Sequence, residues 1–186
     1  MAVSKNKILS HHMNFEETKL YGGAITTYIP AGMVDASTLR QIPDTQEVFV
    51  AGPDTQLGPE DAIIFDLLES VDVPDDAAAE YHFQELAKLN GADNAKVLEA
   101  TKIVCPNFAQ DPTYVLVGSQ EAKKWGRDQT ELVVLLGLIR LQRVQTDLLI
   151  TYNLPGEDFG PRIPVAKQVI QHILESLQVQ DWSLFG

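Results

Sequence analysis

The sequence predicts an α+β fold in which a mainly antiparallel sheet carries helices on its surface. Three observations predict it. Several segments rich in β-branched and aromatic residues follow one another through short turn-forming connections. Helical spacing of apolar residues is confined to stretches near residues 75–90 and 163–177. The order of strands, helix, strands, helix lacks the regular alternation of a doubly wound parallel sheet. A chain of 186 residues fits one domain and can bury roughly 70% of its unfolded surface.

Lys19–Ile29 reads as the first strand, ending at Pro30, with Gly22-Gly23 marking a bulge or a close backbone approach. Asp35 is placed to cap a single turn that Pro43 closes. Glu47–Ala51 is a short strand, followed by the turn-rich stretch Gly52–Pro59. Ala62–Val71 fits strand or helix by periodicity, and the flanking hairpin grammar selects strand. Asp75–Asn90 is a helix, with acidic residues in its first turn, Asn90-Gly91 as its stop, and Phe83, Leu86 and Leu89 expected inside. Thr113–Ser119 reads as strand. Thr130–Gln142 is apolar at successive positions, which suits a strand covered on both faces. A tight connection at Arg143–Gln145 leads to Thr146–Asn153, which alternates as a strand. A closing helix presents Ile163, Ala166, Ile170, Ile173 and Leu177 on one face, with Pro164 expected in its first turn.

The composition excludes several function classes. Apolar residues make up 45% and charged residues 22%, an ordinary globular balance that argues against disorder. The net charge of −12 disfavours a nucleic-acid partner, which requires clustered Lys and Arg. No apolar run is long enough to span a membrane, and a lone Cys105 forms no internal disulfide. The charge is uneven. Residues 35–99 hold fifteen acidic side chains against Arg40, Lys88 and Lys96, and so carry the whole of the −12. Such a run reads either as a solvated face or as a docking surface for a basic partner.

No catalytic, cofactor or metal site is expected. Gly22-Gly23 is not followed by the Lys and Ser or Thr of a phosphate loop. His82 and His172 lie on different helices and read as structural histidines. Cys105 sits beside Pro106 with no nearby His and reads as an inert thiol.

The stretch LYGGAITTYIPAGMVDASTLRQIPDTQEVFV (residues 20–50) resembles the N-terminal signature of the Mog family of Ran-binding nuclear import proteins. The resemblance continues in AIIFDLLESVD (62–72), HFQELAKLNGA (82–92), KKWG (123–126), LIRLQRVQTDLLITYNLP (138–155) and the final DWSLFG. The first 19 residues lack a recognised counterpart and are expected to form a flexible leader, with 20–186 as a single domain. The resemblance implies a six-stranded, mainly antiparallel sheet between helices, an α/β/α sandwich shared with PsbP-like proteins. It implies a monomer that binds the small GTPase Ran and promotes nucleotide release in nuclear import, in the nucleus and also the cytoplasm. An adaptor of the same fold with another partner is the alternative. Carried onto this chain, the family's acidic binding residues are Asp35, Asp44, Glu47, Asp66 and Glu69. Asp35 reads equally as a helix cap and Asp44 as a turn residue. On one regular strand Asp66 and Glu69 point to opposite faces.

Overall fold

Tyr21, Gly22 and Gly23 all have positive φ, of 52°, 68° and 93°, and they break the first expected strand in two. A chain that turns left-handed at three successive residues cannot continue an extended strand. Lys19–Ile29 is therefore a hairpin, with β1 at Phe15–Leu20, a single 3-10 turn at Tyr21–Gly23 and β2 at Ile25–Pro30. The computed structural model describes residues 13–122, 130–156 and 159–186. Residues 1–12 of the expected leader lie outside them, as does KKWG. The leader's remaining part is corrected: Phe15 to Lys19 pair with Pro30 to Thr26 in β1–β2.

The other strands are β3 (Met33–Asp35), β4 (Gln46–Ala51), β5 (Ala62–Glu69), β6 (Ala95–Ile103), β7 (Thr113–Ala122), β8 (Thr130–Leu141), β9 (Thr146–Pro155) and β10 (Gln178–Val179). The helices are α1 (Asp75–Leu89) and α2 (Phe159–Ser176). The main sheet runs β3-β4-β5-β9-β8-β7-β6 with every pair antiparallel, and β1, β2 and β10 form a smaller sheet. Among the described residues the main sheet has seven strands, where six are expected. Sequence patterning missed β6 and the short strands β3 and β10; β6 is an exposed edge whose register shifts between Val97 and Glu99. That bulge destroys strict alternation.

Successive residues of β8 serve different cores, as its apolar run predicted. Val133, Leu135 and Ile139 join Val115 and Val117 beneath α2 and the smaller sheet. Val134, Leu136 and Leu138 join Tyr114 and Leu116 beneath α1. The sheet is thus covered on both faces. Gly118 is required where α1 lands, since a Cβ there would overlap the ring of Phe83.

Two helix details depart from expectation. Leu89 is 82% exposed whereas Phe83 is fully buried. Six residues of 100° place Leu89 about 120° around the helix from Phe83, off the inner face. Pro164 is the sixth residue of α2 rather than part of its first turn, because the helix already starts at Phe159. Its side chain faces solvent, and its missing donor costs one turn-to-turn bond.

Candidate partner-binding surface

Three of the five expected site residues are brought together at one end of the main sheet. Asp35 closes β3, Asp44 lies in the loop before β4, and Glu47 lies on β4. They line a depression of about 580 Å3 with Lys19, Tyr21 and Leu184. Each has a local reason for its position. Asp35 accepts from the Ser37 N–H at 2.9 Å, so it is the cap the sequence suggested. Glu47 Oε1 accepts the Tyr21 N–H at 2.8 Å. Asp44 is exposed.

Asp66 lies one strand further in, directly opposite Gln46, whose Nε2 donates to Oδ2 at 2.9 Å. Burial pushes its carboxyl above the usual carboxylate range, against the Gln46 hydrogen bond, which favours the charged form. Glu69 is the exposed last residue of β5, opposite Thr146. Pairing from Ala62 to Glu69 is regular, so Asp66 and Glu69 point to opposite faces of the sheet. A second depression of about 490 Å3 shares Lys19 and Asp35 and adds Glu16, Glu17, Met33 and Phe49.

The acidic window seen in sequence is not one surface. Asp61 is 2% exposed; it holds Arg162 on one oxygen and the Tyr152 hydroxyl and Gly58 N–H on the other. Asp75 pairs with Arg140, Glu85 with Lys88 and Glu99 with Lys167.

Sequence reasoning also missed a buried cluster around Asp147. One of its oxygens accepts from Arg140 Nε at 3.0 Å and from the Ser70 hydroxyl at 3.1 Å. The other accepts from His82 Nε2 at 2.8 Å and the Val71 N–H at 3.3 Å. Burial alone would raise this carboxyl, but His82 and Arg140 hold it below the usual range. Arg140 also donates to the Val73 carbonyl and to Asp75, each at 2.9 Å. The cluster ties down the segment that leads from β5 into α1. His82 is accordingly a satisfied structural histidine. His172 stacks on Phe15 with ring centroids 3.9 Å apart.

Residues 18–155 match the family model described as Ran-interacting Mog1 protein. The chain belongs to that family. Among Mog1 relatives, the nuclear import protein MOG1 of Saccharomyces cerevisiae is 35% identical, covering 94% of this chain and 86% of the relative. The human Ran guanine nucleotide release factor is 34% identical, covering 90% of this chain and 95% of the relative. The crystal structure of the S. cerevisiae Ran-binding protein Mog1p superposes with a TM-score of 0.81 at 34% identity, over 94% of this chain and all of that one. The solution structure of PsbP from Synechocystis gives a TM-score of 0.59 at 12% identity, over 90% of this chain and 93% of that one. At that identity the likeness speaks for the fold, which Mog1 and PsbP-like chains therefore share.

Proposed function

We propose that this protein binds the small GTPase Ran, promotes release of its guanine nucleotide and supports nuclear import, in the nucleus and the cytoplasm. Membership of the Mog1 family over most of the chain carries this reading. Asp35, Asp44, Glu47, Asp66 and Glu69 are proposed as the Ran-binding residues. The depression shared by the first three gives that assignment a physical setting.

The protein works as a regulator with no covalent chemistry of its own. Release follows from linkage: a factor that binds the nucleotide-free GTPase more tightly weakens nucleotide binding by the same factor. Phosphates in GTPases are held by basic groups and a metal ion. An acidic surface engages those basic groups at the nucleotide's expense. Release of a labelled guanine nucleotide from Ran, timed with and without this protein, tests the reading. Acceleration is expected. An unchanged rate removes the release activity, and a parallel titration decides whether binding stands without it.

A further inference from the structure

We propose that Tyr21, a residue outside the five carboxylates, is the positioning residue of the Ran-binding surface. It holds Glu47 and the segment supporting Asp66 in one fixed arrangement. This rests on the reading of that surface as a Ran site.

Glu47 and Asp66 occupy neighbouring strands but opposite faces, because Glu47 pairs with Phe65 and Gln46 pairs with Asp66. Two carboxylates so placed need a third element if they are to act on one partner. Tyr21 reaches both sides. Its backbone N–H donates to Glu47 Oε1 at 2.8 Å, and its hydroxyl donates to the Thr45 carbonyl at 2.8 Å. The same Thr45 carbonyl accepts the Leu67 N–H at 3.0 Å, and the next residue, Gln46, donates to Asp66. One residue thereby fixes the carboxylate on one face through its main chain and the segment carrying the donor to the other through its side chain.

The backbone supports the assignment. Tyr21 has φ of 52°, a left-handed conformation that a residue with a Cβ adopts only when its surroundings impose it. Gly22 and Gly23 complete the turn without that penalty. A turn whose only purpose was to join β1 to β2 would be better served by Gly or Asn at position 21. The aromatic ring is kept where it reaches across to Thr45 and lines the acidic depression. Burial, then the charges of Asp66 and Glu47, push the phenol far above its ordinary range. The hydroxyl therefore stays a neutral donor at every working pH.

The test is a cycle of full-length variants measured against Ran by association and dissociation rates, with melting temperatures alongside. Tyr21→Phe removes only the link to Thr45. It should weaken Ran binding about tenfold, mainly through faster dissociation, since every charge that steers the encounter is kept. Its melting temperature should fall by no more than about 4 °C. Glu47→Gln with Asp66→Asn should slow association. In that background Tyr21→Phe should have no further effect, because nothing remains to be positioned. Tyr21→Asn keeps the N–H and tolerates the left-handed backbone, and it should reproduce the Phe result. Equal losses in both backgrounds, or unchanged affinity in Tyr21→Phe and Tyr21→Asn, would overturn the positioning role while leaving the Ran site intact. A wild-type protein that does not bind Ran, or a carboxylate variant that binds normally, overturns the site reading and this inference together.

Discussion

Asp66 and Asp147 are near neighbours with opposite fates. Asp147 pairs with Leu68, two residues along β5 from Asp66 and on the same face of the sheet. Asp147 is fully buried and draws donors from Arg140, Ser70, His82 and Val71. Asp66 is half-buried, with Gln46 on one oxygen. Their carboxyls consequently move in opposite directions, Asp147 below its ordinary range and Asp66 above it. The difference separates charge kept for the fold from charge available to a partner. A buried carboxylate is tolerable when cations and N–H groups surround it. One left with raised free energy gains more from an arriving cation.

The largest effect expected from this contrast is on stability. Asp147→Ala strands the Arg140 guanidinium in the interior and should cost about 3–5 kcal/mol. For a chain of this size that lowers the melting temperature by about 6–20 °C. Ran binding, measured where the variant remains folded, should stay close to wild type. A melting shift under about 2 °C would show that water reaches Arg140 and that the cluster is not a structural core.

Asp66→Asn should do the reverse. It keeps the shape and removes a charge that burial disfavours, so stability should be unchanged or slightly higher. Ran affinity should fall by about 2 kcal/mol or more, the usual cost of removing one partner from an interfacial charge pair. Wild-type association should also slow between about 0.05 and 0.3 M salt, as the Debye length contracts. If Asp66→Asn instead lowers the melting point while leaving binding intact, the two carboxylates have the same role and the contrast collapses.

Acid sharpens the comparison further. Asp147 has a depressed folded-state pKa, so its stabilisation is present above the unfolded value, about 3.9, and is lost as pH falls through the lower folded value. Asp66 has a raised folded-state pKa. Its proton favours the fold, and its charge is lost already above the ordinary Asp range. Acidification should therefore weaken Ran binding before it unfolds the protein. Circular dichroism and binding titrations between about pH 3 and 7 would separate the midpoints. Asp66→Asn should move the binding midpoint down and leave the unfolding midpoint in place.

How much was legible in sequence follows the range of each interaction. β8 and β9 were readable because alternation and a continuous apolar run are local patterns. The hairpin at Tyr21–Gly23 was not, since Tyr gives no local sign of a left-handed backbone. β6 stayed hidden behind its bulge and exposure. The five carboxylates came from family resemblance, not from the charge map, and the map itself overcounted. It included Asp61, buried against Arg162 more than a hundred residues away, and Asp75, paired across the fold with Arg140. Of the partners of Asp147 only Arg140 is near in sequence, opposite it across the β8–β9 hairpin, whereas Ser70, Val71 and His82 lie more than sixty residues away. Tyr21 acts through bonds to residues 45 and 47, which no spacing rule connects.

The smallest expected effect lies at Asp35, where the fold and the proposed partner would share one side chain. Its carboxylate caps the turn Ala36–Thr38 through the Ser37 N–H and also lines both acidic depressions. Asp35→Ala removes cap and charge together and should cost about 0.5–2 kcal/mol of stability. Asp35→Ser removes the charge and keeps an oxygen that can accept from the same N–H, so its stability should match wild type. Loss of one solvent-accessible interfacial charge is worth about 0.2–1 kcal/mol, which reads as roughly a 1.4-fold to fivefold weaker Ran complex in both variants. Equal binding losses in Ser and Ala, with a stability loss in Ala alone, would assign Asp35 to both roles. Wild-type binding in the Ser variant would return Asp35 to the fold and leave Asp44, Glu47, Asp66 and Glu69 as the proposed partner's share.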